Sequence, residues 1–232
     1  MRTAAAGAQP AKSKRNIGIR ESFIKVGLEL FGDYGLEGTS TRMLARKAGA
    51  NISGIVYYFG GKDGLYQAVL ECISDSFNEL TGDCRREAWH QLKGQLDRAQ
   101  ILTLLKSLLT SFSQVMDGGL KLKNAEKIIL REQTSPTPAF GALYDGYMKD
   151  VLTLLTTLVA RYTGQPSDSD EAIIRAHTLV GQFVTFVATR EALLKNLGVK
   201  KLKPEQGEMI RRVILGNVEA CLKAWAEEGG RS

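Results

Sequence analysis

Two adjacent tyrosines, Tyr57 and Tyr58, sit near the end of the segment "NISGIVYYFGGK" (residues 51–62). Phenol hydroxyls donate to phosphate oxygens and their rings pack on sugars or thymine methyls, while Ser53 and the side-chain-free Gly54 permit close approach to base edges. This is binding chemistry rather than catalysis. Arg42, Arg46, Lys47 and Lys62 make the window 39–62 basic, and it contains no acid. A polyanion suits such a window.

These side chains need elements to hold them. At about 100° per residue, Ile52, Ile55, Val56 and Phe59 share one arc of a helix, which predicts a buried stripe. Ser53, Gly54 and Tyr57 then point outward, with Tyr58 on the flank. Asn51 is the expected N-cap of this helix. Before it, "EGTSTRMLARKAGAN" predicts a short helix with Thr39 and Ser40 as candidate caps, Leu44, Ala45 and Ala48 inside, and Gly49 as its stop. A first helix is expected from Ile19, Phe23, Val26, Leu30 and Tyr34, ended by Gly35. Two short helices joined by a tight glycine turn, packed on a third, make a helix-turn-helix whose last helix enters a major groove. Thr39, Ser40, Thr41 and Arg42 would meet phosphate at the exposed N-terminus of the second helix, and Lys62 on the other side.

The remainder reads as helix throughout. A fourth helix starts near Lys62, with Leu65, Val69, Cys72, Ile73 and Phe77 as its stripe, and "TGDCRREAWHQLKGQLD" follows as a polar, partly helical connection. Further helices are expected at about 98–116, 121–133, 137–163, 169–196 and 205–228, separated by Gly/Pro loop signals. The expected fold class is all-α, about nine helices: a disordered basic arm at 1–16, a three-helix DNA-binding domain at 17–66 and a larger helical domain at 67–232.

Totals agree with that division. The chain has 232 residues, 44% of them hydrophobic, enough for one large or two modest domains. Its net charge is +6, but from residue 67 onward 21 basic residues face 20 acidic ones, so the excess lies in the first quarter. The runs "VLTLLTTLVA" and "LVGQFVTFVA" fall short of the roughly 20 residues of a membrane span, and no apolar signal segment opens the chain. A cytoplasmic protein without a membrane partner is expected, with Cys72, Cys84 and Cys221 as reduced thiols.

Catalysis finds little support. "GIVYYFGGKD" has the wrong glycine-to-lysine spacing for a phosphate-binding loop, and Asp63 stands where Ser or Thr should bind magnesium. Two histidines, His90 and His177, starve a zinc or catalytic constellation of ligands, so no enzyme activity, cofactor or metal is expected. Three other readings stay open. The chain could be a helical small-molecule carrier or sensor without specific DNA readout. Cys84, beside Arg85 and Arg86, could be a redox sensor. Its simpler alternative is an exposed loop thiol.

The run "TSTRMLARKAGANISGIVYYFGGKDGLY" resembles the N-terminal signature of the TetR family of bacterial transcriptional regulators. That signature is a Thr/Ser-capped helix, an "I-A-x-x-A-G-V-S" turn and a "Y-x-Y-F-x-x-K-x-x-L" exit, matched over roughly residues 17–70. Leu44 replaces the usual Ile, Asn51 the usual Ser, and Val56 a common Tyr. "REQTSPTPAF" (131–140) is similar to the motif of CecR-type regulators. The resemblance implies a homodimeric, ligand-responsive repressor that binds a pseudo-palindromic operator in double-stranded DNA, with 67–232 as its effector-binding and dimerisation domain.

The pattern of the last helices fits a dimer on its own. Ile174, Leu179, Val180, Phe183, Val184, Phe186, Val187 and Leu193 surround most of the helix at 169–196. Ile210, Val213, Ile214, Val218, Cys221, Leu222 and Trp225 line the helix at 205–228, a pair suited to a four-helix bundle about a two-fold axis or to a large monomeric core. A pocket for an effector of unknown identity could be lined by Trp89, Phe112, Met116, Phe140, Tyr144 and Tyr147, with Arg131, Glu132 and His177 as polar anchors.

Overall fold

In the computed structural model the described residues are 9–114 and 124–229. They form α1 (Gln9–Gly38), α2 (Thr41–Ala48), α3 (Ile52–Phe59), α4 (Lys62–Gln91), α5 (Arg98–Gln114) and α6 (Ala125–Thr134). After these come α7 (Phe140–Leu143), a wide π turn at Tyr144–Met148, α8 (Lys149–Thr163), α9 (Asp170–Ala188), α10 (Arg190–Leu197) and α11 (Pro204–Gly229). The fold is all-α, and no strand occurs among the described residues. No single helix among them is long and apolar enough to cross a membrane.

Several boundaries differ from the sequence expectation. Part of the arm expected over 1–16 lies outside the described residues. From Gln9 the backbone is already helical. Pro10 falls in the first turn, where its missing N–H costs nothing, and the Ala, Lys and Arg that follow are good helix formers. Gly35 does interrupt α1, with φ 73° inside an otherwise helical run to Gly38. The expected polar connection after residue 80 is helical up to Gln91. The helix expected at 169–196 breaks at Thr189, and α9 and α10 meet at 65°. There the Thr189 hydroxyl donates to the Thr185 carbonyl at 2.7 Å, a back-bond that bends helices.

The chain divides into two compact units, Met1–Ser74 with Leu122–Gly146, and Asp75–Lys121 with Tyr147–Ser232. The first is discontinuous, whereas a contiguous boundary at 66/67 was expected. The difference is α6, which packs on α1. Asn124 donates to the Glu29 carbonyl and to Asp33, and Lys127 pairs with the same Asp33 carboxylate at 3.0 Å. Phe23, Phe31, Leu44, Ile55, Leu65, Tyr66 and Ile128 are fully buried in this unit. The Phe31 and Tyr66 rings meet edge to face at 4.9 Å.

In the second unit α8 packs against α5, α9 and α11. Its core includes Leu105, Leu108, Leu154, Leu158, Leu179, Val218 and Leu222. At the edge of this core, Arg175 of α9 pairs with Glu228 of α11 at 2.8 Å and lies over the Trp225 ring.

Candidate nucleic-acid interface

Local chemistry sets the course of residues 39–62. Ser40 caps α2 by accepting from the Met43 N–H at 3.2 Å. Gly49 ends α2 in the left-handed conformation (φ 63°), which a side chain would resist, and the chain turns at once. Asn51 caps α3, its Oδ1 accepting from the Ser53 N–H at 3.0 Å. Leu44 and Ile55, both fully buried, anchor the two helices. The geometry is a helix-turn-helix, as expected.

The roll of α3 is not as expected. A Cβ on Gly54 would stand 3.0 Å from Cε2 of the buried Phe23, so this residue faces α1. Ile55 is buried, and Tyr58 and Phe59 are half-buried, Phe59 edge-on to Phe23 at 6.2 Å and under the Arg20 guanidinium. Ile52 and Val56, assigned to the buried stripe, are 41% and 61% exposed. The helix is turned by about 80° from the sequence expectation. Close crossing at Gly54 drives the turn, because a glycine lets α3 settle onto the Phe23 ring. The outer face is Asn51, Ile52, Ser53, Val56 and Tyr57, with Tyr57 76% exposed. Tyr58 lies across its edge, ring centres 4.8 Å apart.

Two more expected contacts change character. Thr39 is 1% exposed, and its hydroxyl donates to the Gly35 carbonyl at 2.7 Å and the Leu30 carbonyl at 3.2 Å. It repairs the interruption in α1 and presents nothing outward. Lys62 is half-buried, and its Nζ donates to the Leu36 carbonyl at 2.9 Å, which ties the start of α4 to the end of α1. Ser40 and Arg42 are exposed and Thr41 is half-exposed at the N-terminal side of α2, and Arg46 is exposed in its last turn. Lys47 is engaged with Glu29 at 2.7 Å. An open hollow of about 1120 Å³ runs beside this face, lined by Gly18, Ile19 and Ser22 of α1 together with the α2–α3 turn and Ser53, Val56 and Tyr57.

Comparison with known proteins agrees with this geometry. The family model of bacterial regulatory proteins of the tetR family matches residues 23–69. That of the C-terminal domain of the HTH-type transcriptional dual regulator CecR matches residues 102–225. The chain belongs to the TetR family. Its C-terminal domain is of the CecR type, and the protein is a ligand-responsive DNA-binding transcriptional regulator. The HTH-type transcriptional dual regulator CecR of Shigella flexneri is 29% identical over 219 residues, 94% of this chain and 97% of that protein. Two solved structures share the fold. A putative transcriptional regulator from Pseudomonas aeruginosa PAO1 has a TM-score of 0.58 at 18% identity, over 94% of this chain and 97% of that one. AibR, in complex with isovaleryl coenzyme A and operator DNA, has 0.60 at 14%, over 86% and 97%.

The residues expected to hold an effector in this TetR-family chain are divided between the two units. Arg131, Glu132, Phe140 and Tyr144 belong to the first unit, Trp89, Phe112, Tyr147 and His177 to the second, and Met116 lies outside the described residues. Arg131 and Glu132 are committed elsewhere. Arg131 Nη1 donates to the Phe31 carbonyl at 2.7 Å, and its other arm reaches Gly32. Glu132, 1% exposed, accepts from the Tyr66 hydroxyl at 2.7 Å and from the Thr137 N–H at 3.1 Å. Burial first, and then this bond, push the Tyr66 phenol well above its ordinary value. The "REQTSPTPAF" motif thus builds an elbow between α6 and α7. Phe140 and Tyr144 pack on each other beyond it, and Tyr144 is exposed.

In the second unit Trp89 is half-buried with its N–H donating to Asp150 at 3.0 Å, and Phe112 meets Phe183 edge-on. Tyr147 is buried between the Phe77 ring and the Arg85 guanidinium, and burial raises its phenol. His177, expected as a polar anchor, stands exposed on α9. Arg85 pairs with Asp150 and Asn78, and Arg86 with Asp83. Neither guanidinium is given to Cys84, which is half-buried 3.5 Å from the Ser107 hydroxyl.

Proposed function

We propose that this regulator is a cytoplasmic homodimeric repressor that binds a pseudo-palindromic operator and leaves it when a small-molecule effector binds. The observation that carries this reading is the outer face of α3, which stands free, holds no carboxylate and lies beside the cationic, hydroxyl-bearing start of α2. Ser53 and Tyr57 meet the groove. Asn51, Ser40, Thr41 and Arg42 meet phosphates with side chains and with the free backbone N–H groups of the α2 N-terminus. Lys62 keeps two donors beyond the one spent on Leu36, and Tyr58 supports Tyr57 from the flank.

Dimerisation through α9 and α11 is supported by apolar side chains that a lone chain leaves in water. Ile173 and Ile174 of α9 and Met209 and Val213 of α11 are exposed, next to the half-buried Val180, Val184, Ile210 and Trp225. A second copy related by a two-fold axis covers them and sets two recognition helices about 34–36 Å apart, one per successive major groove. Trp89, Phe112 and Tyr147 remain the candidate effector lining. The effector acts by favouring a spacing that does not fit DNA, with α4, whose residues belong to both units, as the lever. The relative AibR was solved with isovaleryl coenzyme A and operator DNA together, a precedent for an effector and DNA on one such fold.

Selection of DNA fragments from a random pool by the purified protein tests the reading. Expected are a pseudo-palindrome, affinity that falls steeply as salt rises, and a particle of twice the 25.4 kDa chain mass. Recovery of unrelated fragments would leave a helical small-molecule carrier as the better description.

A further inference from the structure

The outer face of α3 carries two side chains that water does not favour. Ile52 and Val56 are β-branched, lie one turn apart and stand out beside Ser53 and Tyr57. Neither has a hydrogen-bonding group, so neither can read the donors and acceptors of a base edge. A protonated side chain, the usual partner of guanine O6 and N7, is absent from α3 altogether. The apolar feature that a major groove offers is the C5-methyl group of thymine.

Resting on the DNA-binding reading above, we infer that Ile52 and Val56 read thymine C5-methyl groups, so that each operator half-site carries thymines at two positions no more than two base-pair steps apart. The spacing follows from the helix: residues four apart place their Cβ atoms about 6 Å from each other, against a rise of about 3.4 Å per base pair. Charge agrees with this occupant. The face has no carboxylate to repel a duplex, and Arg42 and Arg46, one turn apart on α2, are exposed cations for its phosphates. Ser53 and Tyr57, on the same face, supply the hydroxyls that a base edge or phosphate needs, and the two aliphatic side chains add selectivity for a methyl over a hydrogen.

The test uses the full chain and its selected operator. Each thymine in one half-site is replaced in turn by deoxyuridine, which deletes the C5-methyl and keeps every hydrogen-bonding group. Affinity falls about fourfold at each of two positions and is unchanged at the others, about 0.8 kcal/mol for one buried methyl-sized group. In Ile52→Ala one of the two losses disappears, and in Val56→Ala the other. An operator that binds equally well with every thymine replaced overturns the inference, as do variants that both keep both losses. The uracil scan itself uses the unaltered protein, so misfolding of a variant cannot hide the answer. A protein that selects no sequence at all defeats the DNA-binding reading instead.

Discussion

The face of α3 and the elbow between α6 and α7 belong to the same compact unit, and both concentrate polar side chains that suggest a binding site. They use them in opposite ways. At the elbow Glu132 accepts from Tyr66 and Thr137, and Arg131 closes on the last carbonyls of the helical part of α1. On α3 the only bond that an outer side chain makes to its own helix is the Asn51 cap, and the Tyr57 phenol and Ser53 hydroxyl are left in solvent. A polar group already paired inside a protein gives a ligand only an exchange of bonds, whereas an exposed one adds to affinity when it finds a partner. Availability, more than residue type, separates recognition from architecture here.

The strongest way to break that contrast is Glu132→Ala. Removing the acceptor leaves the buried Tyr66 hydroxyl and the Thr137 N–H without a partner, and the urea midpoint should fall by the equivalent of about 3 kcal/mol. An unchanged midpoint would return Glu132 to the list of effector anchors. Gly54→Ala comes next. The gain of about 1 kcal/mol expected for Ala over Gly in a helix is outweighed by overpacking against Phe23, for a net loss of about 1 kcal/mol. Thermal melts that rise instead would mean that Gly54 faces outward after all.

Thr39 and Tyr57 form a sharper pair. Thr39→Val should cost about 1 kcal/mol of stability and leave operator affinity alone, because its hydroxyl is spent on Leu30 and Gly35. Tyr57→Phe should leave the melt within about 0.5 kcal/mol and weaken operator binding several-fold, read by fluorescence anisotropy. A Thr39 variant that melts normally and loses DNA would reverse the assignment of both.

The smallest effect is expected where groups are paired but solvated. Lys106 and then Lys223 donate to Glu219 and hold its carboxyl down to about 2. A depressed native value stabilises above the ordinary carboxylate value of about 4.3 and is lost as pH falls from there through about 2. Near neutral pH the network should therefore contribute little that salt does not screen, and Lys106→Ala should move the Glu219 titration, followed by NMR, back toward the ordinary value. A titration in the parent protein at that ordinary value would show that the bridge is open in solution.

Much of the interface was legible in advance because it rests on short-range chemistry. Ser40, Gly49 and Asn51 act on backbone within four residues of themselves, so the order of caps and turn marks α2 and α3 whatever surrounds them. The failures on α3 and among the expected effector residues are long-range. Ile52 and Val56 read as core because an apolar arc carries no sign of which neighbour it meets. His177 reads as an anchor until α9 leaves it on the outside, and Arg131 until α6 lies on α1. Met116 lies outside the described residues.

Composition, charge placement and local capping thus determined an all-helical chain with a basic helix-turn-helix near its start, since these depend on residues close together along the backbone. Only the tertiary structure decided which side of α3 is free. That side is set by Gly54 meeting Phe23 from a helix some thirty positions earlier, a contact whose geometry no periodicity encodes.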